Sequence, residues 1–306
     1  MHDVKWIKQH RVGDKIFNIS LYIFFALCAF VCFYPFYYLF INSISANDVS
    51  ARGGVFLHPI GVHFTNYISM FMLEGLGNAT FITLSRTVLG TLATLLGSTV
   101  LGFAFTQQKM WGRVFWYRWV IATMYFSAGL IPVYITYLHL GLINNFWVYI
   151  LPAVIAPFNV ILVKTYIEST PASLQEAAEI DGAGFLRIYA TIILPISKPI
   201  IATVAIFAAV GQWNAFTDTL IFITDERLFP LQFMLYRFLT QSASLAQLIR
   251  ASGGAPGIDM SILQYMQTPT SVRMTISVIV FTPVLFVYPF FQRFFVKGIM
   301  IGSVKG

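Results

Sequence analysis

Four carboxylates lie close together in one stretch of the sequence, although the whole chain has only twelve acidic residues. No nucleophile–base–acid pattern stands out around them or elsewhere in the chain. Acidic side chains grouped in this way suit basic groups on a partner protein. The stretch, here named the acidic loop, is therefore predicted to dock on a partner, and its carboxylates are Glu168, Glu176, Glu179 and Asp181.

A second polar group lies in the apolar stretch that begins at Pro199. If this stretch crosses a membrane, Trp213 lies about 21 Å along it at 1.5 Å per residue, in the outer half of a core of about 30 Å. Asn214 and Asp218 are four residues apart and are expected on one helix face. With Gln212, these side chains could stack on a sugar ring and bond its hydroxyls. Hydrogen bonding between membrane helices explains them equally well, and both interpretations stay open.

Further residues interrupt other apolar stretches and are candidates for a transport pathway. Asn159 follows Pro157 closely, and it could line the pathway or bond backbone groups that the proline frees. Arg86 could contact an acidic glycan, although snorkelling to the outer surface is the more common role. Tyr134 and Tyr137 could line the pathway, although anchoring in the interfacial aromatic belt is more common.

Several kinds of chemistry have no matching motif. The chain lacks a Gly-x-x-x-x-Gly-Lys-Ser/Thr loop, so it is not expected to cradle ATP by that mechanism. Its five histidines are not grouped with cysteines or carboxylates at ligand spacing, so no metal site is predicted. Cys28 and Cys32 are expected to pack as small apolar residues. The sequence therefore predicts no catalytic residues and no bound cofactor.

Composition decides what surrounds these residues. Of the 306 residues, 58% are apolar and 10% are charged, and the mean hydropathy is +0.75. A soluble domain is about 25% charged, so most of this chain must face lipid. The net charge of +7 is spread between apolar runs, which argues against nucleic-acid binding. We predict an all-α integral membrane protein.

Six apolar segments are long enough to cross a bilayer, which takes roughly 20 residues each. Most of the 19 basic residues fall on one side when the N-terminus is placed inside, and the positive-inside rule then puts both termini in the cytoplasm. The predicted spans are about 16–41, 79–105, 117–138, 146–167, 199–223 and 272–295. The predicted segments around them are a cytoplasmic N-terminal segment 1–15, a transmembrane domain 16–295, external loops 42–78 and 224–271, the acidic loop 168–198 inside, and a cytoplasmic tail 296–306.

The acidic loop carries local helix signals. Thr170 suits an N-cap, Pro171 suits the first helical position, and Gly182 suits a C-terminal stop. These signals predict a helix over about 171–181, a bend at Gly182, and a second short helix that ends near Pro195. Because the first helix is too short to be stable alone in water, we expect it to dock on a partner.

The pattern of this loop resembles the EAA loop of ABC importer permeases. The form Glu-Ala-Ala-x-x-Asp-Gly-Ala resembles the carbohydrate-uptake branch, which includes the maltose permease subunit MalG. Further motifs, such as Gly129-Leu-Ile-Pro132 and Gln212-Trp213-Asn214, resemble the LplC/YtcP group of sugar permeases over most of residues 80–306. No substrate-contacting residue of MalG aligns by an obvious motif, and the role of segment 240–270 cannot be taken from shorter relatives.

The resemblance implies a type I ABC importer permease fold in the bacterial cytoplasmic membrane. Uptake of a sugar through alternating access is implied as well, and the similarity to the LplC/YtcP group points to an oligosaccharide. It also implies several partners: a homologous second permease, two copies of a cytoplasmic ATPase that uses ATP and magnesium, and an extracytoplasmic solute-binding protein. In the family the EAA loop couples transport to the ATPase. The matching positions here are Glu176, Ala177, Ala178, Asp181, Gly182, Leu194 and Pro195.

Two alternatives belong to other classes. An ion-coupled secondary transporter would carry intramembrane carboxylates and an internal repeat, whereas the acidic residues here crowd the loops and no repeat is evident. A membrane scaffold or receptor without transport would leave the polar residues of the spans to helix packing. Co-purification of an ATPase separates all three.

Overall fold

The computed structural model describes residues 12–240 and 268–299, without side chains at 12–14 and 287–299. Every regular element in the described ranges is helical, as the sequence predicts. Most of the predicted N-terminal segment, most of the external stretch 240–270 and most of the C-terminal tail lie outside the described residues.

The chain divides into two compact units. In the described chain the first unit joins residues 12–70 with residues 268–278. It begins with α1 (Val12–Ser43), α2 (Asn47–Ala51) and α3 (Thr65–Phe71), of which Phe71 already belongs to the second unit. None of the most apolar stretch of α1 is buried. A helix that is apolar all round requires a non-aqueous environment, which is consistent with a lipid-facing helix.

Buried polar side chains organise the chain after α1. The amide of Asn42 donates to the carbonyl of Val55 at 3.3 Å and accepts from the Ser50 hydroxyl at 2.9 Å. The amide of Asn66 donates to the Ser43 carbonyl and to the Asn47 side chain, at 3.0 and 2.9 Å. Because buried polar groups are costly unless they are bonded, this network gives residues 42–66 a defined structure.

The second unit holds the remaining described chain, residues 71–240 and 279–299. Three 3₁₀ turns (Phe146–Tyr149, Leu151–Ala153 and Glu226–Leu228) and one π turn (Tyr189–Ile193) connect its helices. Helix α14 (Pro269–Ile299) has residues in both units. The other helices are α4 (Leu76–Ala104), α5 (Arg113–Tyr125), α6 (Leu130–His139), α7 (Pro157–Glu168), α8 (Ser173–Ile180), α9 (Phe185–Ile188), α10 (Leu194–Ile196), α11 (Lys198–Asn214), α12 (Thr217–Phe222) and α13 (231–240).

Helix α4 is the centre of this unit and packs against both α7 and α11. Glycines allow the close approach. A Cβ on Gly90 would lie 2.6 Å from the Gln212 amide nitrogen, and one on Gly97 would lie 2.1 Å from the Val154 carbonyl oxygen. Small residues at helix interfaces let backbones come together, and here they bring Arg86 on α4 within reach of α11.

Four described helices are long and apolar enough to cross a membrane, and two bent helix pairs would raise the number to six. Helices α5 and α6 meet at 118°, within the predicted span 117–138. Gly129 has φ +86° immediately before α6, a conformation that favours glycine. The second bend, of 81°, lies between Phe185–Ile196 and α11. The span that the sequence predicts at 117–138 is therefore broken rather than one continuous helix.

Candidate functional site

Arg86 lies on α4, and its side chain is 1% exposed. It forms an ion pair with Asp218 at the start of α12. The expectation that Arg86 snorkels to the outer surface is therefore wrong. A cation inside an apolar environment is stabilised by a nearby carboxylate, and the fold supplies one from a distant part of the chain.

The guanidinium of Arg86 uses all of its hydrogen-bond donors within this unit. Nε and Nη2 donate to Gln212 Oε1 at 3.2 and 3.1 Å. Nη1 donates to the Ala215 carbonyl at 3.2 Å and to Asp218 Oδ1 at 3.4 Å, and Nη2 also donates to Asp218 Oδ2. Arginine has five N–H groups, so these five bonds leave no donor for another partner.

The helical conformation is interrupted between α11 and α12, and Arg86 donates a hydrogen bond to this interruption. Helix α11 ends at Asn214, and Ala215 is extended with φ −73° and ψ 130°. A helix break leaves carbonyl groups without their usual partners, which is costly when they are buried, and the bond from Arg86 supplies a partner to the Ala215 carbonyl. The prediction that Asn214 and Asp218 share a helix face is wrong, because the helix does not continue between them.

Tyr149 completes this group, although sequence reasoning did not single it out. Its ring lies under the guanidinium of Arg86, 4.2 Å from the carbon to the ring centre. Its hydroxyl donates to the Leu228 carbonyl at 2.8 Å and lies 3.1 Å from the Thr219 hydroxyl. Its carbonyl accepts from the Gln212 amide at 3.0 Å. A tyrosine near the end of an apolar run gives no sequence signal that separates this role from belt anchoring.

We name Arg86, Tyr149, Gln212 and Asp218 the Arg86 cluster. Its members line a cavity of about 450 Å³, within the range of small-molecule sites. Asn159 also lines it and is 7% exposed. Its side-chain amide makes no hydrogen bond to the described residues. The alternative prediction, that Asn159 bonds backbone groups freed by Pro157, therefore gains no support. Pro157 is the first residue of α7.

Three other predicted pathway residues do not line this cavity. Trp213 is buried and donates its indole N–H to the Val280 carbonyl at 3.1 Å. Asn214 is exposed and donates to the Val210 carbonyl of its own helix. Tyr134 stacks on Phe222 with ring centres 6.0 Å apart. Trp213 and Asn214 are therefore separated from the cavity that Gln212 and Asp218 line, although the sequence predicts that all four act together.

The acidic loop forms the predicted helix–bend–helix. Its first helix, α8, runs from Ser173 to Ile180, and Gly182 has φ +78°. The start differs from the prediction, because Thr170 does not cap α8. Its hydroxyl instead donates to the Ile167 carbonyl at 2.6 Å. The second helical stretch continues through Leu194 and Pro195 to Ile196.

Contacts on one side fix α8 to the loop after α4. Gln175 donates to the Gln107 side chain at 2.7 Å, and Lys109 donates to Glu179 at 2.7 Å. The bonds from the Lys109 ammonium and the Gln175 amide hold the pKa of the Glu179 carboxyl below its usual value. Ala178 packs against the buried core around Phe103. The short helix therefore has a fixed orientation despite its length.

The other side of α8 is exposed. Glu176, Ala177 and Asp181 are exposed, and the Glu176 and Asp181 carboxylates make no ion pair with the described residues. Ile180 and Leu186 are 86% and 74% exposed. Apolar side chains beside unpaired carboxylates fit a surface that another protein covers. Over the described ranges, no group of three histidine, cysteine, aspartate or glutamate residues could hold a metal ion.

Comparisons with known proteins extend over nearly the whole chain. It matches no family model. It is 31% identical to the polygalacturonan/rhamnogalacturonan transport system permease protein YtcP of Bacillus subtilis (strain 168), over 96% of this chain and 99% of that protein. It is 33% identical to protein LplC of the same organism, over 100% of both chains. A crystal structure of a bacterial ABC transporter involved in the import of the acidic polysaccharide alginate contains a similar chain, with a TM-score of 0.81, 28% identity and coverage of 94% of this chain and 99% of that one.

Proposed function

The chain belongs to the permease subunits of bacterial sugar ABC importers, and we propose the way in which its two polar sites serve that transport. It resides in the bacterial cytoplasmic membrane and acts as a transport subunit rather than as an enzyme. The ion-coupled secondary transporter is not favoured. The proposals below concern topology, coupling, partners and substrate.

The proposed topology has six spans with both termini in the cytoplasm. Four long apolar helices and two bent pairs support that number, and the basic residues between the spans support the orientation. In this arrangement the acidic loop faces the cytoplasm, while loop 42–78 faces outward.

The acidic loop is the proposed coupling element to a separate ATPase. The support is the division of α8 into an attached side and an exposed side. Gln175 and Glu179 are hydrogen-bonded to the loop after α4. A displacement of α8 by a partner on its exposed side would therefore also move the end of α4. The proposed coupling residues are the seven that match the family motif: Glu176, Ala177, Ala178, Asp181, Gly182, Leu194 and Pro195.

The proposed assembly contains a second, homologous permease, two copies of the ATPase and an extracytoplasmic solute-binding protein. This chain binds no cofactor in the proposal, and ATP with magnesium belongs to the ATPase. ATP binding would close the two ATPases and draw the coupling elements together, and hydrolysis would release them, which gives alternating access.

The proposed substrate is an oligosaccharide derived from a polysaccharide. Two similarities support the polysaccharide origin of the substrate: YtcP is named for polygalacturonan and rhamnogalacturonan, and the solved ABC transporter is described for alginate. The charge of the sugar units is not taken from these relatives and depends on the cavity of this chain. The cavity of about 450 Å³ beside the Arg86 cluster is the proposed part of the pathway in this subunit.

The observation that carries the coupling proposal is that Glu176 is exposed and makes no ion pair with the described residues. The test is Glu176→Arg in the reconstituted complex. We expect sugar uptake to fall at least about tenfold through like-charge repulsion at the interface, with the thermal stability of the permease unchanged. The matched control is Glu74→Arg, the same charge reversal at an exposed position on the predicted outer side.

Both variants are assayed for uptake, for ATP hydrolysis and for co-purification of the ATPase. Glu74→Arg should retain the ATPase. Normal uptake and normal ATPase retention in Glu176→Arg would contradict the assignment of the acidic loop to coupling.

A further inference from the structure

The cavity beside the Arg86 cluster is electrically balanced. Its lining contains one basic side chain, Arg86, and one acidic side chain, Asp218, and the two are ion-paired. Most of the other lining residues are apolar or aromatic. A ligand in the cavity therefore meets a neutral wall, although a buried arginine forms part of it.

Arg86 has no free capacity to bind an anionic ligand. Its five donors are used by Gln212, Ala215 and Asp218. A uronate carboxylate could reach the guanidinium only by displacing Asp218. That exchange would leave the Asp218 carboxylate without its counter-charge in a largely apolar site, which is strongly unfavourable.

Other groups in the cavity suit hydroxyls rather than charges. The Asp218 side chain is 25% exposed, so a carboxylate oxygen can accept from a sugar hydroxyl while its ion pair stays intact. The Asn159 amide lines the cavity without a hydrogen bond to the described residues and offers one acceptor and two donors. Tyr137 adds an aromatic face. These groups match an uncharged, hydroxyl-bearing sugar unit.

We propose that Asp218 is a specificity-determining residue that cancels the charge of Arg86 toward the cavity. With Asp218 present, the cavity accepts neutral sugar units and disfavours uronates. Without its charge, Arg86 becomes an anion site. This proposal rests on the proposed transport function, since it assigns a selectivity to the same cavity.

The first test measures the cavity charge and needs no knowledge of the substrate. Cys28 and Cys32, the two cysteines of the chain, are replaced by serine, and Ala208, which lines the cavity, is replaced by cysteine. The complex is then treated with an anionic thiol reagent, 2-sulfonatoethyl methanethiosulfonate, and with a cationic one, 2-(trimethylammonium)ethyl methanethiosulfonate. The measured quantity is the ratio of the two reaction rates.

Asp218→Asn should raise the ratio of anionic to cationic reaction about tenfold, the effect of one unpaired charge at short range and intermediate dielectric. Asparagine keeps the size and one acceptor oxygen of aspartate, so the bonds of Arg86 to Gln212 and Ala215 can persist. The double variant Arg86→Gln/Asp218→Asn should return the ratio to its starting value. A cysteine at Met72, which is exposed in the predicted external loop 42–78, should show no change.

An unchanged ratio in Asp218→Asn would overturn the proposal, as would a cysteine at Ala208 that reacts with neither reagent. In the second case the cavity could not admit a sugar. ATP-driven uptake of a panel of neutral and uronate oligosaccharides is measured in parallel. Absence of uptake with a shifted thiol ratio would reject the transport role alone, whereas uptake with an unshifted ratio would reject only the role of Asp218.

Discussion

The Arg86 cluster and helix α8 both concentrate charge in a chain that has little of it, yet they use it in opposite ways. Arg86 is buried, and its donors are all bonded within the same unit. On α8, Glu176 is exposed and makes no ion pair with the described residues. The charge of Arg86 is neutralised within the protein, whereas the charge of Glu176 is exposed at the surface.

This difference indicates where each region finds its partner. A buried ion pair is fixed by its surroundings and can set the charge of a cavity wall, but it cannot attract a partner from outside. An exposed carboxylate contributes little to stability and is available for a complementary protein surface. Variants in the two regions should therefore separate loss of stability from loss of coupling.

The largest effect on stability is expected for Arg86→Met. This change leaves the Asp218 carboxylate without its counter-charge, and breaking a buried pair costs about 3–5 kcal/mol. The permease should therefore melt at a much lower temperature in detergent. The matched control is Arg86→Met/Asp218→Leu, which removes both charges and should recover most of the loss. Equal melting temperatures for Arg86→Met and the natural chain would show that the pair is not structurally important.

A smaller effect is expected for Tyr149→Phe. The variant loses the hydroxyl that bonds the Leu228 carbonyl and the Thr219 side chain, which corresponds to about 1–2 kcal/mol of unfolding free energy. Tyr134→Phe is the matched control, because the Tyr134 hydroxyl makes no hydrogen bond to the described residues. A loss of similar size in the control would assign the effect to the membrane interface instead of to the Arg86 cluster.

The smallest effect is expected for Glu179→Gln, on the attached side of α8. Because the folded-state pKa of Glu179 is lowered by Lys109, its stabilising contribution is present above the ordinary value of 4.5 and is lost as the pH falls through the lowered pKa. The difference in melting temperature between the natural chain and the variant should therefore be small at pH 7 and should shrink at pH 4 and below. A difference that grows on acidification would contradict this ion pair.

Local signals in the sequence were sufficient for the acidic loop. The glycine at 182 predicts the bend, and the structure has it in the left-handed region. The start of α8 is two residues later than predicted, because the Thr170 hydroxyl bonds the preceding helix rather than the next one. Threonine side chains readily bond nearby carbonyl groups of the preceding turn, and this competes with capping the next helix.

Long-range partners were not predictable in the same way. Asp218 lies 132 residues from Arg86 in the chain, and no local pattern links the two. The sequence placed Asn214 with Asp218 on one helix, and the break at Ala215 separated them. Tyr149 gave no signal at all, because its neighbours in the sequence are apolar whereas its partners come from α4, α11 and α12.

The sequence by itself determined that most of the chain faces lipid, that the fold is helical, and which family the chain resembles. Composition, the length of the apolar segments and the EAA pattern can all be read directly from the sequence. Only the tertiary structure decided that Arg86 is buried and neutralised, that Trp213 bonds α14, and that Asn159 faces the cavity. The physical reason is that a charged or polar side chain in an apolar environment takes whichever partner packing brings within reach. That partner is set by the folding of distant segments against one another.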